Sequence, residues 1–527
     1  MNVFRPRSRG GLAFRFFLLA VLVTGSVAAT AAVAGLLQVQ NLVNDISFNK
    51  AIQSNAIKVP AAGAPQTILL IGSDHRAGEP FKNSNTDTML LVRLDASSST
   101  INVMSLPRDL QVNIPGYGTN KLNAAYSEGG WNLLIKTIKQ NVFPQFVPNH
   151  IIDVNFSGFA DLVDAIGCVY SDIDHRYYNQ SQPAPSADNY ASINIEPGYQ
   201  KLCGGNNQTN GALSFARFRH TDTDLTREAR QQDFIRWAKS QYPISRLLSN
   251  RQRLLRIFGK HSQSDAQLHS VDGLLKVFDL VANMEGKGAT IKQIPYPATL
   301  LPCGGTDPAT GAVAPCYVGS KSPAAVKSTW AHFIAATPVA GAHPGSSAAA
   351  RHHKRPRPLS TAGLTADRSD GRAQAAALDQ AKLPIYYPRL IASNSVYCSG
   401  LTGNCNNGDE PATAYAHSYP RAYSIIGPGG DRYHAYRMTL LLNPDNYEDE
   451  YYGVQGTTWD NPPILSSPAG TKMVDGRKLF LYKDGAKLTQ VAWHHDGDAY
   501  WISNNLTENI PYSQMLEIAA SLTRYNG

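Results

Sequence analysis

The first half of the chain alternates short apolar runs with charged punctuation. Thr67 to Ser73, TILLIGS, has the unbroken apolar pattern of a buried strand and ends in Asp74-His75-Arg76. A second run, Thr88 to Leu94, follows Asn85-Thr86-Asp87, and a third, Ile101 to Leu106, leads straight into Pro107-Arg108-Asp109. TNKLNAAY, with Lys121, opens a helix carrying Trp131 to Ile138; a strand at Ile151 to Asn155 and a helix at Phe159 to Ile166 follow. Beyond a polar insertion, Tyr177 to Ser192, lie EPGYQKLCGG and a helix at Gly211 to Phe215. Thr290 to Tyr296 reads as a strand rejoining the sheet and Ser322 to Ala335 as a helix. This alternation predicts a three-layer α/β/α domain with a mixed central sheet over residues 66–336. Charged residues at one end of three apolar strands mark where open α/β sheets place their ligand sites.

The pattern then breaks. Residues 337–382 are rich in Ala, Gly, Pro and Arg, with RHHKRPRP at 351–358, and read as a disordered linker. Residues 383–527 return to strand-like runs (Tyr433 to Leu442, Tyr451 to Val454, Lys478 to Tyr482, Leu488 to His494, Tyr500 to Ser503) before a helix at Ser513 to Leu522. We expect a separate C-terminal α+β domain whose dense aromatics, Tyr451, Tyr452, Trp459, Trp493 and Trp501, form its core. Sugar binding is the other use of such residues.

The N-terminus adds a location. Arg5, Arg7, Arg9 and Arg15 precede 22 uncharged residues, Phe16 to Leu37. At about 1.5 Å per residue such a helix crosses a bilayer core of about 30 Å. The basic side stays in the cytoplasm, so the expected layout is a tail at 1–15, a single-pass membrane anchor at 16–38, an extracellular stalk at 39–65 and an extracellular bulk. A cleaved signal peptide, with small residues at Ala28 to Ala34, is the rival. The net charge of +8 suits an acidic partner. Fifteen residues inside cannot build a DNA-binding element, so no nucleic acid is expected. Six cysteines in an exported chain point to disulfides. The close pairs Cys303–Cys316 and Cys398–Cys405 enclose loops, which leaves Cys168 for Cys203.

Arg217 to Gln231, RFRHTDTDLTREARQ, concentrates the candidate chemistry. Arg217 and Arg219 alternate as at a strand end, whereas Arg227, Arg230 and Gln231 share a helix face. Guanidinium forks fit phosphate oxygens two at a time, so this cluster suits a pyrophosphate; a solvated charged face is the competing reading. Asp74 and Asp87, at strand edges, suit Mg²⁺, which bridges carboxylate and phosphate. Arg76, Arg108, Arg217, Arg219 and Arg227 would then hold the remaining phosphate oxygens.

Eight blocks in order, GSDHR, NTDTMLLVRLD, VMSLPRDL, KLNAAYSEGG, DVNFSGFADLVDAIG, PGYQKLCGG, ALSFARFRH and REARQQDF, resemble the LytR-CpsA-Psr proteins of bacterial envelopes. The likeness covers Ile68 to Trp237. It departs at Gly167-Cys168, where a double glycine is usual, and in the longer loop DTDLTR. The resemblance implies a phosphotransferase that moves a glycopolymer from a polyprenyl-pyrophosphate carrier to peptidoglycan through a phosphodiester. It also implies magnesium at Asp74 and Asp87, and pyrophosphate contacts from Arg76, Arg108, Arg217, Arg219, Arg227 and Gln231. Lys121 falls in a matching block as a substrate-binding candidate; Asp109 is structural or base-like. An apolar groove for the lipid would lie near the helices Trp131 to Ile138 and Phe159 to Ile166, although ordinary core is the preferred reading of those same stripes. A hydrolase using water and a non-catalytic wall-polymer scaffold are the alternatives.

Overall fold

A computed structural model describes residues 57–75, 80–179, 193–205, 210–218, 224–242, 261–268, 290–301, 317–334, 363–399, 418–443 and 450–526, less a few positions within these spans and with isolated residues between them. The first unit contains β1 (Gln66–Ser73), β2 (Thr86–Asp95), β3 (Thr100–Ser105), β4 (Gln111–Ile114), β5 (Gly118–Lys121), α1 (Ala124–Asn141), β6 (His150–Asn155) and α2 (Phe156–Ile166). After these come β7 (Val169–Ile173), β8 (Tyr177–Asn179), β9 (Ile193–Ile195), β10 (Gly198–Leu202), α3 (Ala212–Arg217), α4 (Asp224–Gln241), β11 (Ser262–Ser264), β12 (Thr290–Gln293), β13 (Ala298–Leu300), β14 (Val318–Ser320) and α5 (Pro323–Ile334).

The central sheet runs β11-β6-β1-β2-β3-β12. It is mixed, as expected: β1 pairs antiparallel with β2 and parallel with β6, and β12 joins β3 in parallel. Leu69, Ile71, Met89, Leu91 and Met104 are buried with Trp131, Leu134, Ile135 and Ile138 of α1. α1 kinks at Gly129-Gly130; Gly130 has φ +61°, and a Cβ there would lie 2.7 Å from the Phe81 ring, so only glycine fits. Among the described residues two disulfides are present, Cys168–Cys203 and Cys398–Cys405. Cys303–Cys316, the anchor, the cytoplasmic tail and most of the stalk lie outside the described residues. Among the described residues, no helix is long and apolar enough to cross a membrane.

Three expectations change. Arg217 does not lie at a strand end but is the last residue of α3; its helix-forming segment ALSFAR buries Ala212 and Phe215, and the chain becomes extended only at Phe218. The C-terminal order begins earlier than the assigned linker boundary: β15 (Leu364–Ala366) and α6 (Asp370–Ala376) belong to the C-terminal unit, and β15 pairs with β17 (Leu390–Ala392). That unit is also mostly β rather than α+β. It adds β16 (Tyr386–Pro388), β18 (Ser395–Tyr397), β19 (Arg421–Ile426), β20 (Arg432–Leu442), β21 (Glu450–Thr457), β22 (Gly470–Val474), β23 (Arg477–Asp484), β24 (Lys487–His495), β25 (Asp498–Ser503), α7 (Tyr512–Ala520) and β26 (Leu522–Arg524). Eight of its strands form one antiparallel sheet. Its aromatics are core: Tyr436, Tyr452, Trp493 and Tyr500 are buried together.

The two units share an interior. Val169, Tyr199, Phe234 and Trp237 of the first pack in one cluster with Tyr482 and Trp501 of the second. Beside them Arg437 is fully buried, its Nη1 2.8 Å from Asp172 Oδ1 and its Nη2 donating to the Asp174 carbonyl at 3.0 Å. A Cβ at position 453 would sit 2.5 Å from Arg437 Nη2, which explains Gly453. Backbone amides join in: Arg176 N donates to Tyr419 Oη and Tyr199 N to Tyr423 Oη, each at 2.7 Å.

Candidate active site

Those of the predicted residues that the structure describes lie at the carboxyl ends of β1, β3 and β5, at the start of β2 and on the helices α3 and α4. In the β1–β2 ladder, Gly72 faces Thr88 and Ser73 faces Thr86, so the register skips Asp87. This bulge sets the Asp87 backbone beside the turn that carries Asp74; the Asp87 side chain is outside the described residues. Asp74 is half-buried, and the next residue, His75, is buried and stacked on Phe81 at 4.4 Å.

A buried carboxylate that sequence reasoning missed sits beneath this turn. Asp153 of β6 accepts from Ser73 Oγ at 2.7 Å, from Trp131 Nε1 at 3.1 Å and from Tyr126 Oη. Burial pushes its carboxyl above the ordinary range, and the three donors pull it back. The signal was there: a lone charged residue inside the apolar strand HIIDVN.

After β3, Asp109 lies 3.0 Å from Lys121 Nζ and 3.8 Å from Arg108 Nε. The Asp109 carbonyl accepts from Val318 N and the Arg108 carbonyl from Asn123 N, both at 3.0 Å. Backbone and side chains thus pin this charged triplet against β14 and the start of α1.

The arginine stretch divides. Arg217 lies over the Phe156 ring at 3.9 Å. Arg227 is 1% exposed, and Gln231 donates to the Ala216 carbonyl at 3.0 Å, tying α4 to α3. Arg230, on the same face, points away from ligand chemistry: it donates to the Phe218 carbonyl inside a cage of Tyr177, Phe215 and Phe218, 4.9 to 5.7 Å from their centroids. Arg76 and Arg219 fall outside the described residues.

Arg217 and Gln231 line a cleft of about 1000 Å³ whose other walls are apolar: Leu70 and Ile71 of β1, Phe156, Phe159 and Leu162 of α2, and Phe234 of α4. Of the two helices named for an apolar groove, only α2 lines this cleft. The 131–138 segment is core. Among the described residues the one three-ligand cluster for a metal is Asp164 with Cys168 and Cys203, whose sulfurs are already bonded to each other. The hard oxygen of Asp74, at a strand end and near the Asp87 backbone, is the donor type that suits Mg²⁺.

Comparison with known proteins adds the lineage. The LytR_cpsA_psr family matches residues 34–312, more than half of the chain. A protein of Oceanobacillus iheyensis named polyisoprenyl-teichoic acid–peptidoglycan teichoic acid transferase TagU is 31% identical over 243 residues, 44% of this chain and 69% of that protein. Regulatory protein MsrR of Staphylococcus aureus is 32% identical over 183 residues, 33% of this chain and 48% of that protein. An uncharacterized S. aureus protein is 29% identical over 244 residues, 45% of this chain; this chain spans 56% of its length. Among solved structures, B. subtilis TagV has a TM-score of 0.38 at 20% identity, covering 52% of this chain and 97% of that one. TagT bound to LI-WTA has a TM-score of 0.39 at 20% identity, covering 55% and 97%. On the family match and the 31% identity to TagU, the chain belongs to the LytR_cpsA_psr family.

Proposed function

We propose that this protein transfers a glycopolymer from a polyprenyl-pyrophosphate carrier to peptidoglycan, forming a phosphodiester. The observation that carries the reading is the apolar cleft with Arg217 and Gln231 on its wall. An apolar cleft beside a guanidinium suits a molecule that is hydrocarbon at one end and pyrophosphate at the other. Arg108, Arg217 and Arg227, with Arg76 and Arg219, neutralise the phosphate charge that grows in the transition state. Lys121 contributes a further cation and Gln231 a neutral hydrogen bond.

In the reaction an acceptor hydroxyl oxygen bonds to the sugar-linked phosphorus. The bond from that phosphorus to the bridging oxygen breaks, and polyprenyl phosphate leaves. The hydroxyl proton passes to a site carboxylate. Asp74 and Asp109 are the candidate acceptors; Asp109 is also engaged by Lys121 and Arg108, which suits it to orienting them. Asp74 and Asp87 would hold Mg²⁺, which when bound neutralises phosphate charge. The expected setting is the outer face of a membrane, with the N-terminal segment as a single-pass anchor.

The test is to incubate the purified chain with a polyprenyl-pyrophosphate-linked oligosaccharide, with and without peptidoglycan, and to follow polyprenyl phosphate and wall-bound sugar. Acceptor-dependent release is expected, and chelator should abolish it. Release that ignores the acceptor would mean hydrolysis, and none under any condition would leave only a binding role.

A further inference from the structure

A second groove, separate from the apolar cleft, lies where the two units meet. It runs between the far side of α4, the chain leaving β12, and the β23–β24 and 506–508 segments of the C-terminal unit. From this, we propose that the groove is an acceptor subsite that takes an uncharged oligosaccharide, and that the C-terminal unit supplies one of its walls. The proposal rests on the transferase reading above.

Three features carry it. The first is position. β12 runs parallel to β3 with Gln293 opposite Val103, so the groove floor at Gln293 and Tyr296 lies at the sheet end where Arg108 and Asp109 emerge. Tyr296 Oη is 2.6 Å from Ser320 Oγ of β14, and the same strand's Val318 N donates to the Asp109 carbonyl.

The second is the division of chemistry across α4. Gln231 lines the apolar cleft, whereas Glu228 and Gln232 line the groove. One helix thus separates a guanidinium-bearing apolar side from a side of carboxylates and amides. With one ammonium, Lys487, among four carboxylates, the second side does not favour a phosphate-rich chain.

The third is the lining chemistry. Gln293 Nε2 donates to the Gln232 carbonyl at 2.6 Å, which fixes the Gln293 amide in the wall. Opposite it, Lys487 Nζ is held at 3.1 Å by the Thr507 carbonyl. Asp484 and Glu508 are bound by Arg236 at 3.0 and 3.3 Å, so their charge is partly spent before any ligand arrives. Amide, ammonium, hydroxyl and carboxylate groups beside the exposed Pro295 and half-buried Leu506 match the hydroxyls and apolar faces of a sugar chain.

The probes are chitotetraose, an uncharged amino-sugar tetramer, and farnesyl pyrophosphate, both titrated calorimetrically into the full chain. Gln232→Trp, which fills the groove, and the milder Lys487→Ala should weaken chitotetraose binding by roughly tenfold or more and roughly threefold. Farnesyl pyrophosphate affinity should stay unchanged in both. Equal chitotetraose affinity in wild type and both variants would overturn the proposal, as would no binding to wild type at about 10 mM. Arg217→Ala should do the reverse, weakening only farnesyl pyrophosphate. If it leaves that affinity intact, the donor reading falls and the proposal with it, by a result distinct from failure of the groove.

Discussion

Replacing Arg437 by alanine is a stringent test of how the two units are joined. The side chain is 0% exposed and its partner Asp172 3% exposed. The change removes the 2.8 Å ion pair, the 3.0 Å bond to the Asp174 carbonyl and a 3.2 Å bond from Nε to Thr439 Oγ1. Breaking one side of a buried pair costs about 3–5 kcal/mol, because the remaining charge stays buried without it. Asp172 keeps Gln455 at 2.5 Å, Trp501 at 3.4 Å and Ser503 as donors, which places the expectation in the lower half of that range. At about 2–4 °C per kcal/mol for units of this size, the melting temperature should fall by on the order of 10 °C. Calorimetry of the full chain would measure it, with the exposed Arg432→Ala as a control expected to change stability by less than about 0.5 kcal/mol. Arg437→Lys keeps the charge but not the fork, and should lose about half as much. A loss below about 1 kcal/mol in Arg437→Ala would refute the interface as a source of stability.

Arg217→Ala should lower transfer by about 10²-fold or more with the fold intact, read by release of polyprenyl phosphate; near-normal turnover would remove this residue from the site. Reduction of Cys168–Cys203, which spans 35 positions, should cost about 4 kcal/mol by loop-closure entropy, and thermal melts with and without reductant would show it. Asp233 titrates upward, to about 7, because burial disfavours its charge while Asp484 and Glu508 compete for Arg236. An acid with a raised folded pKa contributes stability that is fully present below its unfolded pKa, about 4, and is lost as pH rises through 7. Asp233→Asn should therefore flatten the decline in melting temperature between pH 5 and 7, and an unchanged slope would contradict this.

The strands of the first unit were legible because each is an apolar run bounded by charge, and β1, β2 and β3 begin or end within two residues of expectation. Arg108-Asp109 and Lys121 were found in two separate motifs, and the fold brings Lys121 within ion-pair reach of Asp109. What failed was local. Alternation at Arg217 looked like strand, but burial of Ala212 and Phe215 makes a helix win. Arg230 looked like Arg227, yet three aromatic rings distant in sequence or spacing enclose it. Asp153 and Asp172 were overlooked because their partners come from other elements and, for Asp172, from the other unit more than 260 residues away. Pairings over that distance leave no periodic trace in a chain.

The strand order also governs how the sheet can be made. Its outer strands, β11 and β12, are Ser262–Ser264 and Thr290–Gln293, although the central strand is Gln66–Ser73. At about 5–20 residues per second, synthesis from β1 to β12 takes on the order of 10–40 s. During that interval β3 and β6 offer bare hydrogen-bonding edges to any neighbouring chain. On the outer face of a membrane, where this unit is proposed to fold, chains emerging side by side would meet at such edges, so a holding chaperone there should raise the yield of this protein more than that of one whose edges are made first.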